Sequence, residues 1–232
     1  MSITRIIYRA GVKLATRLGL YGRRRLEYLR LIFKVLSILS THRGKPRVAL
    51  DLGCANGWLT RRIAKHLGLA VGIDISFHSE WVESRNPSLE FIVADARSLP
   101  LRPDTADCVV AISLLEHVPG WNRVVSEVHR VLRHGGLFII QLPNLMYFIE
   151  PHTKFPLLGL LPKRVKAILA SSVGYRDLQF SCTLKNVVKE LRRHGFEYWV
   201  SHYHHTPHKL MRSPPSYFVV ALKGKDLETV KT

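Results

Sequence analysis

Val48-Ala49-Leu50-Asp51-Leu52-Gly53-Cys54-Ala55-Asn56-Gly57-Trp58-Leu59-Thr60 decides how the rest of the chain is read. It starts as the apolar run that a buried parallel strand requires. It breaks at five small residues, Gly53 to Gly57, and resumes with Leu59, Ile63 and Leu67 at helical spacing. The order is strand, small-residue turn, helix. Small residues at such a turn let a ligand lie against bare backbone. The helix start behind it offers unpaired N–H groups to an anionic group. A dinucleotide-binding turn carries G-x-G-x-x-G. Here the glycines are four apart, Ala55 lies between them, and Asp51 stands two residues before Gly53. A carboxylate there suits a cation and would serve badly beside a pyrophosphate.

Further acids follow at the expected tips. Asp74 ends the apolar run Ala70-Val71-Gly72-Ile73, where a carboxylate can grip a ribose diol. Asp95 follows Leu89–Val93. Ser113-Leu114-Leu115-Glu116-His117-Val118 follows the apolar run Ala106–Ile112, and Val131-Leu132-Arg133-His134-Gly135-Gly136 precedes Leu137–Leu142. In this order and spacing, residues 47–142 resemble the class I S-adenosylmethionine-dependent methyltransferases, in particular the group with a compact core. The family's first motif is acid-x-G-x-G-x-G, matched by Asp51 to Gly57 except at Ala55. His134 stands where the family usually has proline.

The resemblance implies S-adenosyl-L-methionine as cofactor. It implies a cofactor site made by Asp51, Gly53, Cys54, Ala55, Gly57, Asp74, Ile75, Asp95, Ala96, Ser113 and Leu114. Asp95 would accept the adenine amino group, beside the Ala96 N–H. The sulfonium already makes the methyl group electrophilic, so the protein has mainly to align a nucleophile and exclude water. A general base is needed only for an acceptor that is protonated at working pH. His117 and His152 are the candidates carried forward, with Glu150 and Tyr147 beside them.

Strand and helix patterns alternate through the rest of the core, which predicts a doubly wound, mostly parallel α/β sheet with right-handed crossovers. A short helix is expected over 76–85, a helix over Trp121–Leu132, and a helix from Thr183 to His194 with Gly195 as its stop. Phe196–Tyr203 and Ser216–Leu222 read as strands. The resemblance makes them the sixth and seventh strands of a Rossmann-like methyltransferase sheet, the last one antiparallel. Residues 143–182 break the rhythm with prolines, a Phe155–Leu161 apolar run and a short helix near 163–172, and are read as a cap over the acceptor pocket.

Net charge is +18 in 232 residues, and it is uneven: residues 1–47 carry twelve Lys/Arg against one acid, Glu27. Residues 2–18 form an amphipathic pattern, with Ile3, Ile7, Ala10, Leu14 and Leu18 on one stripe and Arg5, Arg9, Lys13 and Arg17 beside it. A second helix is expected over 24–40, with Leu26, Leu29, Phe33, Leu36 and Leu39 inward. Cations flanking an apolar stripe suit peripheral contact with a membrane surface. Nucleic acid is the less favoured anionic partner. No run reaches the roughly 18 apolar residues of a spanning helix, and no secretory leader is read.

The three cysteines are far apart, which argues against a disulfide framework and fits a reducing, cytoplasmic compartment. His202, His204, His205 and His208 cluster without a cysteine or acid nearby, so no metal site is assigned. The chain thus divides into a basic helical extension (1–45), a methyltransferase-like domain (46–223) and a flexible tail (224–232). The expected function is methyl transfer to a small-molecule, lipid- or glycan-linked acceptor. The alternatives are a tRNA methyltransferase and a non-catalytic partner protein that keeps the fold.

Overall fold

The computed structural model describes residues 24–44, 46–82, 86–145, 147, 155, 158–175, 178–203 and 216–224. The expected helix over 2–18, Glu150, His152, His204, His205, His208 and residues 225–232 lie outside the described residues, as does the side chain of His202.

Seven strands form one sheet: β1 (Val48–Leu52), β2 (Leu69–Asp74), β3 (Leu89–Val93), β4 (Ala106–Ile112), β5 (Leu132–Pro143), β6 (Phe196–Tyr203) and β7 (Ser216–Lys223). Their order is β3-β2-β1-β4-β5-β7-β6. The β1–β2, β1–β4, β2–β3 and β4–β5 pairs are parallel. β7 runs antiparallel to both β5 and β6, as expected of the last strand. The order reverses between β1 and β4, which opens a crevice at their carboxyl ends.

Helices cover both faces. α1 (Arg24–Arg43) and α2 (Trp58–Ala64) bury Ile32, Leu36 and Ile63 against Ala49, Cys108, Val110 and Ile139. On the other face, α3 (Trp121–Val131) and α5 (Leu184–Arg193) bury Val124, Val128, Val187 and Leu191 against Leu50, Leu52, Val109 and Phe138. α4 (Lys163–Ser172) lies in the segment between β5 and α5. The Thr183 side chain caps α5 by accepting from the Asn186 N–H at 3.3 Å.

Three details differ from the sequence expectation. Among the described side chains, the buried stripe of α1 is Tyr28, Ile32 and Leu36, with Leu29 and Phe33 half-buried beside it; the side chains of Leu26 and Leu39 lie outside the described residues. The Tyr28 hydroxyl meets Ser216 Oγ, 3.1 Å away at the buried start of β7. Within 76–82 only Ser79–Trp81 is helical, as a single 3-10 turn. The Trp81 indole ties that segment to the turn after β1 and to β3: Nε1 donates to the Ala55 carbonyl at 2.8 Å, and the ring stacks on Phe91. Finally, β5 begins at Leu132 rather than after Gly136. Leu132 pairs with Ala106, and the register then jumps to Cys108–Leu137. α3 therefore runs straight into the strand, with residues 133–136 as its irregularity.

Candidate cofactor and acceptor site

Two clefts meet at Gly53 on the carboxyl side of the sheet. The first is lined by Asp51, Gly53, Cys54, Ala55 and Asn56 with Tyr28, Leu29 and Ile32 of α1. The second is lined by Gly53, Asp74, Ile75, Asp95, Ala96, Arg97, Leu114, His117 and Pro119. One crevice thus crosses the tips of β1, β2, β3 and β4.

Asp51 is buried and accepts from the Thr60 hydroxyl at 2.6 Å. Burial raises its carboxyl pKa to about 7, with the Asp74 charge adding to the effect and the Thr60 hydrogen bonds opposing it. An anion held this reluctantly is stabilised by a cation brought into the cleft. Asp74 ends β2 and accepts from the backbone N–H groups of Ala55 (2.9 Å) and Ser76 (3.0 Å). It therefore ties the turn after β1 to the tip of β2. Asp95 is gripped by Arg97, which donates from its backbone N (2.8 Å), Nε (3.0 Å) and Nη2 (2.6 Å). The guanidinium hydrogen bonds hold the Asp95 carboxyl below the usual carboxylate range. Arg97 Nη1 also donates to the Pro119 carbonyl at 3.0 Å, which bridges the loops after β3 and β4. Sequence patterning gave no signal for this bridge.

The turn itself is built on left-handed backbone. Gly53 has φ +70° and Gly57 φ +78°, and Ala55 between them has φ +46°. Ala55 therefore pays the steric penalty of that region, roughly 1–2 kcal/mol, where the resembling family has glycine. The bareness of the glycines serves the chain's own packing. A Cβ on Gly53 would stand 2.8 Å from Leu114 Cδ1, and one on Gly57 2.6 Å from Phe91 Cε1. Gly72, opposite Asp51 in the β1–β2 register, would likewise reach 2.6 Å from Phe91 Cδ1.

Of the expected residues, the crevice walls carry Asp51, Gly53, Cys54, Ala55, Asp74, Ile75, Asp95, Ala96, Leu114 and His117. Gly57 and Ser113 sit behind them. Gly57 faces Phe91, and the Ser113 hydroxyl donates to Gln141 Oε1 at 2.6 Å. Ser113 has φ +51°, a strained backbone at the tip of β4. The Cys54 thiol is pushed far above its ordinary range by burial and by the Asp51 and Asp74 charges, so it stays protonated and acts as a small wall residue. His117 occupies the β3–β4 side of the crevice, and its ring lies 6.3 Å from that of Tyr175. Among the described residues no His, Cys, Asp and Glu group could hold a metal ion.

The family resemblance implies a second helix packed on the core beside the cofactor cleft, and α1 lines the Asp51 cleft with Tyr28, Leu29 and Ile32. Which of its residues reach the cleft gave no sign in the sequence, because a helix face does not show where it stops.

Residues 50–140 match the family model described as a methyltransferase domain. The chain is 32% identical over 108 residues to a probable S-adenosylmethionine-dependent methyltransferase of Mycolicibacterium smegmatis, covering 46% of this chain and 42% of that protein. It is 36% identical over 101 residues to the tRNA (carboxymethyluridine(34)-5-O)-methyltransferase of Arabidopsis thaliana, covering 40% of this chain and 23% of the other. The chain thus spans less than half the length of these curated relatives. Among solved structures, an S-adenosylmethionine-dependent methyltransferase from Mesorhizobium loti superposes with a TM-score of 0.61 at 21% identity, covering 76% of this chain and 90% of that one.

Proposed function

We propose that residues 50–140, which match a methyltransferase domain, form the core of a class I S-adenosylmethionine-dependent methyltransferase, and that the chain catalyses methyl transfer to a small-molecule, lipid- or glycan-linked acceptor. The observation that carries this reading is the single crevice formed where two clefts meet at Gly53, with Asp51, Asp74 and Asp95 on its walls.

The residues present suit the cofactor. The raised pKa of Asp51 marks a carboxylate that a cationic amino group would stabilise. The carboxylate of Asp74 would hold the ribose hydroxyls, and Asp95 and Ala96 with Ile75 and Leu114 would enclose the adenine. S-adenosylmethionine supplies the electrophilic methyl group when bound. The chain's own work is positioning. Asp74 fixes the turn through the Ala55 N–H, the Arg97 bridge fixes the spacing of the loops after β3 and β4, and Tyr28, Leu29 and Ile32 wall off water on the α1 side. Alignment of this kind is worth up to roughly 7–11 kcal/mol. His117 is the proposed base, because it is the imidazole among the described residues that lines the crevice. A carboxylate or phenolate acceptor would need none.

A tRNA acceptor is the second reading. It is favoured by the +18 charge and by the tRNA-modifying relative. That relative aligns over only 23% of its length, so its own acceptor does not carry over to this chain. Two measurements test the reading. Isothermal calorimetry should give saturable binding of S-adenosylmethionine, weakened by Asp74→Ala by about 1–3 kcal/mol, the scale for losing a hydrogen bond to a charged group. Labelled-methyl transfer into lipid, glycan and tRNA extracts should mark the first or second pool. Absence of cofactor binding by the parent chain would leave only a non-catalytic scaffold.

A further inference from the structure

The segment between β5 and α5 carries an apolar face turned to solvent. Leu160 and Ile168 are each 69% exposed, and Val165 (40%) and Leu161 (36%) lie between them. Val165 and Ile168 are one turn apart on α4, and Leu160 and Leu161 lie in the turn just before the helix. The inward side of the same segment is anchored by Phe155, Leu158 and Ala170, all buried. The exposed face is therefore a surface of a packed element. Arg164 is exposed beside it. Residues 151–176 contain five Lys/Arg and no Asp or Glu.

The segment also borders the crevice. Tyr175, one turn past α4, lies with its ring 6.3 Å from that of His117, and the Gln179 N–H donates to the Glu116 carbonyl at 2.6 Å.

Contiguous exposed apolar side chains mark a surface that is covered in use. We propose that α4 and the turn before it seat the protein on an anionic lipid bilayer, with the helix lying in the headgroup plane. The charge pattern selects this occupant. Exposed Leu, Val and Ile beside the exposed Arg164, in a helix whose sequence holds Lys163, Arg164 and Lys166 and no acid, are attracted by the negative potential of a phospholipid surface and can bury their apolar side in the acyl boundary. The inference goes beyond methyl transfer, since it assigns a docking surface and stands apart from which acceptor is used. Its effect is to hold the His117 side of the crevice close to the headgroups.

The test uses the full chain with Ile168→Cys, labelled with the environment-sensitive dye NBD. Cys54, Cys108 and Cys182 are all buried, so labelling is selective. Vesicles of phosphatidylcholine mixed with phosphatidylglycerol should shift the dye emission to the blue, less so at high salt, while phosphatidylcholine alone should not. In the unlabelled chain, Ile168→Glu and Leu160→Glu should each reduce partition onto anionic vesicles by about tenfold or more. Both should leave S-adenosylmethionine affinity within twofold of the parent by calorimetry. A silent dye on anionic vesicles, or equal partition by the Glu variants, overturns the proposal. So does a blue shift produced by tRNA and not by vesicles, or one produced by raising protein concentration alone; these reassign the face to nucleic acid or to self-association. Loss of cofactor binding by the parent chain would count against methyl transfer and leave the vesicle result standing.

Discussion

Asp51 sets the sharpest expectation at the scale of single residues. The unfolded chain ionises this carboxyl near pH 4, whereas the folded chain does so near 7. The folded state therefore holds the extra proton between those values, and stability from this group is lost as pH rises through that window. The ligand-free protein should be less stable at about pH 8 than at about pH 5, by on the order of 1–4 kcal/mol from this one group. Asp51→Asn should flatten that dependence in thermal melts and raise the melting temperature at the higher pH. The same substitution should weaken cofactor binding, and the parent's affinity should fall as pH drops below 7, read by calorimetry. His117 offers a second expectation. As a base, its replacement by Asn should lower kcat by about 10²-fold or more with cofactor affinity within twofold. A loss confined to cofactor affinity would make the ring a wall of the pocket.

At the scale of elements, α1 is both core and wall. Ile32 is fully buried and also lines the Asp51 cleft. Ile32→Ala should cost about 2–5 kcal/mol of stability, the range for truncating a buried aliphatic side chain, and should also weaken cofactor binding. Denaturant melts and calorimetry on the same variant separate the two effects. The strands were the most legible elements. Ala106–Ile112 coincides with β4 because a near-continuous apolar run bounded by turn residues has little other use, and Phe196–Tyr203 coincides with β6 because it is rich in aromatic and β-branched residues. Legibility failed where a distant partner decides local geometry. The segment after Asp74 is held by Trp81 reaching Ala55, and Leu132 joins the sheet because Ala106 lies opposite. The Arg97 bridge to Asp95 and Pro119 belongs with these, since an arginine in a loop carries no pattern of its own.

At the scale of the whole molecule, the charge asymmetry and the sheet divide the work. Arg5, Arg9, Lys13 and Arg17 precede residue 21, whereas the crevice is built from strand tips and from α1, which begins at Arg24. Deleting residues 1–20 should therefore weaken attachment to anionic vesicles while leaving S-adenosylmethionine affinity nearly intact, measured by flotation and calorimetry. Among the described residues no helix is long and apolar enough to cross a membrane. Phe91, on the outermost strand β3, sits where side chains on Gly57 and Gly72 would have to go, stacked under Trp81 with its ring centroid 4.9 Å away. The ring and the two hydrogens facing it are one inherited unit. Lineages that keep an aromatic at position 91 are expected to keep both glycines, Gly57 being held besides by its φ of +78° and Gly72 by Cys54 Sγ, 2.9 Å from where its Cβ would lie.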